Sequence, residues 1–404
     1  MAAPDAVALL SRLVACRSIA GGRNGALIAQ VAGLLRAAGA VVEVLDGTRP
    51  GTSVLHATLG PAEEPGGLLL AAHGDVVDVA GQAWSSDPFV LREQDGRLYG
   101  RGATDMKGFL ACALAAIASA EVPSLRAPLH LALSHDEELG CAGIEPLLSH
   151  LTSGGGLAAP LAGVVVGEPT ELEVVDRHKG KAALDITVRG RAAHSATPGA
   201  GANAVAAAAR LVVALEDLER QLAAEATDAA FSVPHATIGI GPIAGGVAVN
   251  IVPDTCALKV ETRVLPGQGL DDVVDRIGAV AARIEAELRA RAPEARVDVA
   301  RVAGYPALGP SSAAADAAFA AVVGGVAGRG VGGAVDFGTE AGLYQERLGV
   351  PVVVCGPGSM RQGHTPDEFI TVEQLRAGQA LVSGLIATLH RPGRTSSPHM
   401  PIHM

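Results

Sequence analysis

The chain has 404 residues, enough for two or three domains, and its core must be built from Ala, Val, Leu and Ile, because hydrophobic residues make up 49% and aromatics only 2%. A formal net charge of −11 argues against nucleic acid as a partner, since an acidic surface repels phosphate backbones. No apolar run long enough for a membrane span is free of Gly or polar breaks, Met1 to Asp5 lacks a secretory pattern, and scattered Cys16, Cys112, Cys141, Cys256 and Cys355 suit a reducing cytoplasm.

A helical apolar rhythm runs through residues 5–40. Strands are predicted at Val41–Leu45, Ser53–Leu59 and Leu68–Ala72, then at Arg97–Tyr99 before the Gly-rich turn Gly100–Asp105. An Ala-rich helix should span Met106–Ala120, followed by buried strands at Leu129–Leu133 and Val164–Val166. Strands alternating with helices predict a largely parallel sheet covered on both faces. Near His178 the pattern changes. Strand Ala182–Arg189, helix Asn203–Ala223, strands His235–Ile243 and Thr255–Val264, helix Leu270–Arg291 and strand Arg296–Ala300 give β-α-β-β-α-β, the ferredoxin-like order. A helix at Ala313–Val323, a strand at Val350–Cys355 and a helix at Thr371–His390 complete the outer unit. The expected organisation is a discontinuous catalytic domain of residues 1–177 and 302–390, an inserted domain of 178–301, and a frayed tail of 391–404.

Strand ends are where α/β proteins place chemistry. His73-Gly74-Asp75 closes the run Leu68–Ala72, and its His and Asp project to the same side. Asp105 precedes a helix; read alone it could be an N-cap, but a carboxylate can also bridge two ions roughly 3.5–4 Å apart. Asp136-Glu137-Glu138 follows a strand, and a metal ion would relieve the repulsion among three acids. On an extended segment Glu137 and Glu138 would point opposite ways, so one could ligate while the other serves as general base. Glu168 ends another strand, held extended by Pro169. The amides of Gly356–Ser359, Gly358 and Ser359 included, could form an anion nest, and His364 lies just beyond. Two His with three carboxylates suit zinc, cobalt or manganese.

These segments, with Ala193-His194-Ser195 and Gly338-Thr339-Glu340-Ala341, resemble the aminoacylase and acetylornithine deacetylase metallopeptidase family, to which succinyl-diaminopimelate desuccinylase is related. The resemblance runs in order from residue 73 to 368 and is nearest the acetylornithine deacetylase branch. It implies a zinc-peptidase-like, three-layer αβα catalytic domain with a ferredoxin-like α+β lid that also dimerises. It implies two divalent metals, zinc foremost. His73 and Glu168 would hold one, Glu138 and His364 the other, with Asp105 bridging. Glu137 would be the general base and then the acid for the leaving amine. Asp75 would orient His73 through its second nitrogen. A cis peptide is expected at Asp105-Met106. His194 would reach the site of a partner subunit and stabilise the oxyanion, while Asn250 and Arg263 would bind the substrate's α-carboxylate. Asp78 departs from the family, which often has Pro there.

The reading is a dimeric two-metal amidohydrolase that removes the acetyl group of N2-acetylornithine in arginine biosynthesis. Glu340 is the candidate partner for the substrate's side-chain ammonium. Desuccinylase, general aminoacylase and dipeptidase or carboxypeptidase are the enzyme rivals. A non-catalytic metal-binding protein on the same fold is the rival of a different class.

Overall fold

The computed structural model describes residues 5–310 and 314–390. The expectations for the extreme N-terminus, for Ala313 as a helix start and for the tail 391–404 lie outside the described residues. Helices α1 (Ala6–Val14) and α2 (Gly25–Ala37) precede strands β1 (Val41–Asp46), β2 (Ser53–Leu59) and β3 (Gly67–His73). Short strands β4 (Arg92–Gln94) and β5 (Arg97–Tyr99) lead to α3 (Lys107–Ala118), β6 (Leu129–Ser134), α4 (Glu145–Thr152), β7 (Leu161–Val166) and β8 (Val174–His178). Next come β9 (Gly180–Arg189), α5 (Ala204–Glu225), β10 (Thr237–Gly245), β11 (Thr255–Val264), α6 (Leu270–Arg289) and β12 (Arg296–Tyr305). The chain continues with α7 (Ala314–Ala327), β13 (Val331–Val335), α8 (Ala341–Leu348), β14 (Val352–Val354), β15 (Phe369–Thr371) and α9 (Val372–Thr388).

The main sheet has the order β1-β2-β6-β3-β7-β14-β8-β13. It is mixed: β6, β3, β7 and β14 run parallel at its centre, whereas β1, β2 and β6 pair antiparallel and β14 meets β8 antiparallel. The pleat of β3 explains why it is apolar throughout. Leu68, Leu70 and Ala72 face the core beneath α1, α2, α3 and α9, while Leu69 and Ala71 face the core beneath α4 and α8. Helix α3 is buried from Lys107 to Ile117, which is why its sequence has no polar face. Each of its fully buried Leu and Phe side chains contributes roughly 1.5–3 kcal/mol.

A second sheet, β10-β11-β9-β12, is wholly antiparallel and packs α5 and α6 through its own apolar cluster. In chain order this is the ferredoxin-like arrangement. Strand β12 extends past Ala300 to Tyr305, because Ala303, Gly304 and Tyr305 still pair with Ala183, Ala182 and Lys181. The return to the main sheet therefore begins later than residue 302. Strands β8 and β13 carry no strand signature in the sequence: β8 contains Asp176-Arg177 and β13 two glycines, which break an apolar pattern. Among the described residues no helix is long and apolar enough to cross a membrane.

Candidate active site

Parallel strands β6, β3 and β7 are neighbours, so their C-terminal ends deliver side chains to one edge of the sheet. His73 arrives from β3, Glu137 and Glu138 from the turn after β6, and Glu168 from the loop after β7. Asp105 comes from the turn before α3 and His364 from the loop before β15. The peptide bond Asp105–Met106 is cis.

Asp105 lies between the two histidines. His73 Nε2 is 3.1 Å from its Oδ1, and His364 Nε2 is 3.1 Å from its Oδ2. His73 Nε2 is also 3.6 Å from Glu168 Oε1, and His364 Nε2 is 3.0 Å from Glu138 Oε2. Five residues thus form two donor sets that share one carboxylate. Asp105 does not cap α3, whose N-cap is Met106 with no side-chain bond.

The electrostatics fit bound cations. Burial raises the carboxyl pKa values of Glu168 and Glu138, and the charge of Asp105 adds to both. Burial likewise raises Glu137, with Glu138, Glu340 and Asp75 reinforcing it against the pull of His73. Bonds to Asp105 and Glu138 push His364 up to about 10. Burial opposes a charge on His73, but Asp105 and Asp75 outweigh it and lift its pKa. In this donor set carboxylates and imidazoles converge and compete for protons. Divalent cations would replace those protons, so the residues fit a two-metal centre.

Glu137–Leu139 is a tight 3-10 turn, not the extended segment expected. The carboxylate of Asp75 causes this by accepting the amides of Glu137 at 3.2 Å and Glu138 at 3.1 Å. Asp136, in the left-handed conformation, turns away to Arg49 at 2.9 Å. The role expected of Asp75 changes accordingly. His73 Nδ1 meets the backbone carbonyl of Asp75 at 3.0 Å, while the carboxylate is at 3.5 Å. The closer backbone contact orients the imidazole, and the carboxylate holds the Glu137-Glu138 turn.

A cleft of about 330 Å³ adjoins the donors, lined by Asp105, Glu137, Glu138, Glu168 and His364 and by Lys181, Arg263, Tyr305 and Met360. Arg263 Nε donates to Glu261 at 2.7 Å, and Lys181 meets the same carboxylate at 2.8 Å. Arg263 is therefore both an ion-pair partner and a cleft residue.

Other expected contacts are not made. Glu340 is buried at 2% exposure and does not line the cleft. Burial lifts its carboxyl to about 8, so it is a poor direct partner for a substrate ammonium. The Gly358 and Ser359 amides are already used, donating to Gln374 Oε1 at 3.2 Å and Thr104 Oγ1 at 3.1 Å. They form no open anion nest. Gly358 is needed there, because φ is 89° and a Cβ would meet Thr104 Oγ1 at 2.0 Å. His194 is exposed and bridges Ile251, and Ser195 N donates to Asn250 O at 3.0 Å. Neither His194 nor Asn250 lines the cleft. Asp78 caps its own exposed loop through the amides of Val79 and Ala80.

Two supporting residues carry little signal in the sequence. Arg101 and Glu368 form a buried pair at 2.7 Å. Glu368 also accepts the amides of Thr104 at 2.9 Å and Asp105 at 3.1 Å. The signal was a charged residue between two glycines, Gly100-Arg101-Gly102, where a solvated loop would be the simple expectation.

Residues 69–388 match the model of peptidase family M20/M25/M40. The chain is similar to the acetylornithine deacetylase of Myxococcus xanthus, 37% identical over 320 residues, 79% of each chain. It is also similar to the acetylornithine deacetylase of Erwinia tasmaniensis, 32% identical over 391 residues, 95% of this chain and 97% of that one. Among solved structures, an M20 family metallo-carboxypeptidase from Sulfolobus solfataricus superposes with a TM-score of 0.75 at 17% identity, covering 95% of this chain and 98% of the other.

Proposed function

Because the chain belongs to peptidase family M20/M25/M40 and is a hydrolase of amide bonds, we propose that it removes the acetyl group of N2-acetylornithine. The observation that carries the reaction is the placement of Glu137. An oxygen of its carboxylate lies within 4.8 Å of donor atoms of His73 and Glu168, on the wall of the cleft. The substrate is inferred from the likeness to acetylornithine deacetylases over most of the chain.

His73 and Glu168 would hold one divalent ion, Glu138 and His364 the other, and Asp105 both. Bound ions supply Lewis acidity to the amide carbonyl and acidify the attacking water. Glu137 takes the proton from that water and passes it to the leaving nitrogen. A carboxyl whose pKa is raised by burial suits both halves of that transfer. Arg263, with Lys181 beside it, meets the substrate's α-carboxylate. Zinc is the proposed metal, since two imidazoles and three carboxylates match its preferences.

We further propose a homodimer formed through the β9–β12 unit, with His194 and Asn250 completing the partner's site. In support, the loop beside them exposes Val247 and Val249 almost completely. The free cysteines support a cytoplasmic location, and the substrate a role in arginine biosynthesis.

The test is hydrolysis of acetylornithine, succinyl-diaminopimelate, N-acetylmethionine and a dipeptide after chelation and zinc or cobalt add-back. Metal-dependent turnover with the highest kcat/KM on acetylornithine is expected. A higher value on any other member would overturn the substrate, and undiminished turnover after chelation the mechanism.

A further inference from the structure

A second convergence of histidines lies at the β1–β2 edge of the main sheet, built from none of the residues above. Glu43 on β1 and His56 on β2 are direct cross-strand partners. His150, on α4, reaches over them. Three atoms meet: His56 Nδ1 and His150 Nε2 are 3.3 Å apart, His150 Nε2 and Glu43 Oε2 3.2 Å, and His56 Nδ1 and Glu43 Oε2 3.7 Å.

Hydrogen bonds satisfy this triangle only in part. His150 Nε2 lies within bonding distance of both other atoms but can carry only one proton. If it donates to Glu43, it has no second proton for the lone pair of His56 Nδ1 and can only share the one it carries. If it accepts from His56 Nδ1, two lone pairs of His150 and Glu43 face each other at 3.2 Å. A cation between the three satisfies them all. Zinc at about 2.0–2.1 Å from tetrahedral ligands sets those ligands roughly 3.3–3.4 Å apart, close to the spacing present before any ion draws them in.

The far side of His56 is compatible with this. Its Nε2 is 3.1 Å from His130 Nδ1, which also meets Thr58 Oγ1 at 3.1 Å, and the two rings stack at 15°. A proton on His56 Nε2 leaves Nδ1 bare toward the triangle, the tautomer a ligand needs. Burial, with His130 and His150 adding to it, holds His56 at about 3, and burial holds His130 at about 4, so both rings are neutral at neutral pH. Access is open on one side, because the Glu43 side chain is 43% exposed and that of His150 12%. Gly156 passes close to the His150 ring, where a Cβ would lie 2.8 Å from Nε2.

We propose that Glu43, His56 and His150 form a third divalent transition-metal site, of the zinc class, with water as the fourth ligand. It ties β1, β2 and α4 together. It is independent of the amide-hydrolysis centre, and its test does not depend on activity.

The experiment counts zinc bound per full-length chain after chelation and equilibrium dialysis against Zn²⁺ alone. Wild type should bind one ion more than His150→Ala and one more than Glu43→Gln. Glu43→Gln alters a partly exposed side chain, so a fold defect in His150→Ala cannot mimic the result. His130→Ala should weaken this one site about 10–100-fold and leave the others unchanged. Equal zinc counts in wild type and Glu43→Gln, with both folded by circular dichroism, would overturn the proposal.

Discussion

Removing Glu368 should loosen the catalytic centre without touching a donor. Its carboxylate meets the Arg101 guanidinium at 2.7 Å, and both side chains are 1% exposed. It also accepts the amides of Thr104 and Asp105. Burial and the charge of Asp105 push the Glu368 pKa up, while Arg101 and the two amides favour the anion. Three groups thus depend on one carboxylate. Glu368→Ala would leave a buried guanidinium unpaired, which typically costs about 3–5 kcal/mol. It would also orphan two amides at about 1–3 kcal/mol each where water does not reach them. Because these terms share one site they do not add fully, and a loss of about 4 kcal/mol is expected. Urea unfolding of the metal-free protein measures it. Zinc affinity should fall with it, because the Asp105 backbone loses its anchor. Adding Arg101→Met to Glu368→Ala should recover part of the stability by removing the stranded charge. A loss below about 1 kcal/mol with unchanged zinc affinity would refute the reasoning.

Glu137→Ala should lower kcat/KM by about 10²-fold or more while zinc content stays the same, read by steady-state assay and metal analysis. Arg263→Ala should raise KM about 10–100-fold for substrates with an α-carboxylate, with a smaller change in kcat. Glu340→Gln should change the pH dependence of stability. With its folded pKa raised from 4.5 to about 8, Glu340 keeps a proton that the unfolded chain releases. Stability of the metal-free protein therefore falls as pH rises through that window. In Glu340→Gln this contribution vanishes, and the variant should gain a few kcal/mol relative to wild type between pH 5 and 8 by chemical unfolding, being of order RT per unit times 2.3. A parallel pH profile would contradict the assignment.

Much of the architecture was legible because burial on both faces leaves a plain mark. Leu68–Ala72 and Val164–Val166 could only be central strands, and Thr255–Val264 alternates as a half-covered strand must. What could not be read depended on tertiary pairing. Strand β13 holds two glycines and is strand only because β8 lies beside it. The largely parallel sheet holds at its centre, and the antiparallel β1–β2 edge is not legible, since a hairpin and a crossover can carry the same apolar run. Within the site, ligand types at strand ends were readable, because metals demand particular atoms. The Glu137–Leu139 turn was not, because its geometry comes from Asp75, 62 positions away from Glu137.

That distance points to how the centre is assembled. Several motifs that bear a proposed reacting or ligating group also anchor another loop. Asp75, two positions after the proposed ligand His73, fixes the amides of Glu137 and Glu138. Glu368, four positions after His364, fixes the amide of Asp105. Thr104, next to Asp105, accepts the amide of Ser359. Ser359 in turn donates its hydroxyl to Glu171 at 2.7 Å, three positions beyond the proposed ligand Glu168. Donors on separate loops repel one another until cations arrive, so a loop bearing a donor cannot rely on that donor for its position. Anchoring through neighbouring residues preorganises the carboxylates at the cost of strong mutual repulsion, which metal binding then relieves. This explains why the chemistry is written in short clusters along the sequence: each ligand needs a companion a few residues away, aimed at another loop.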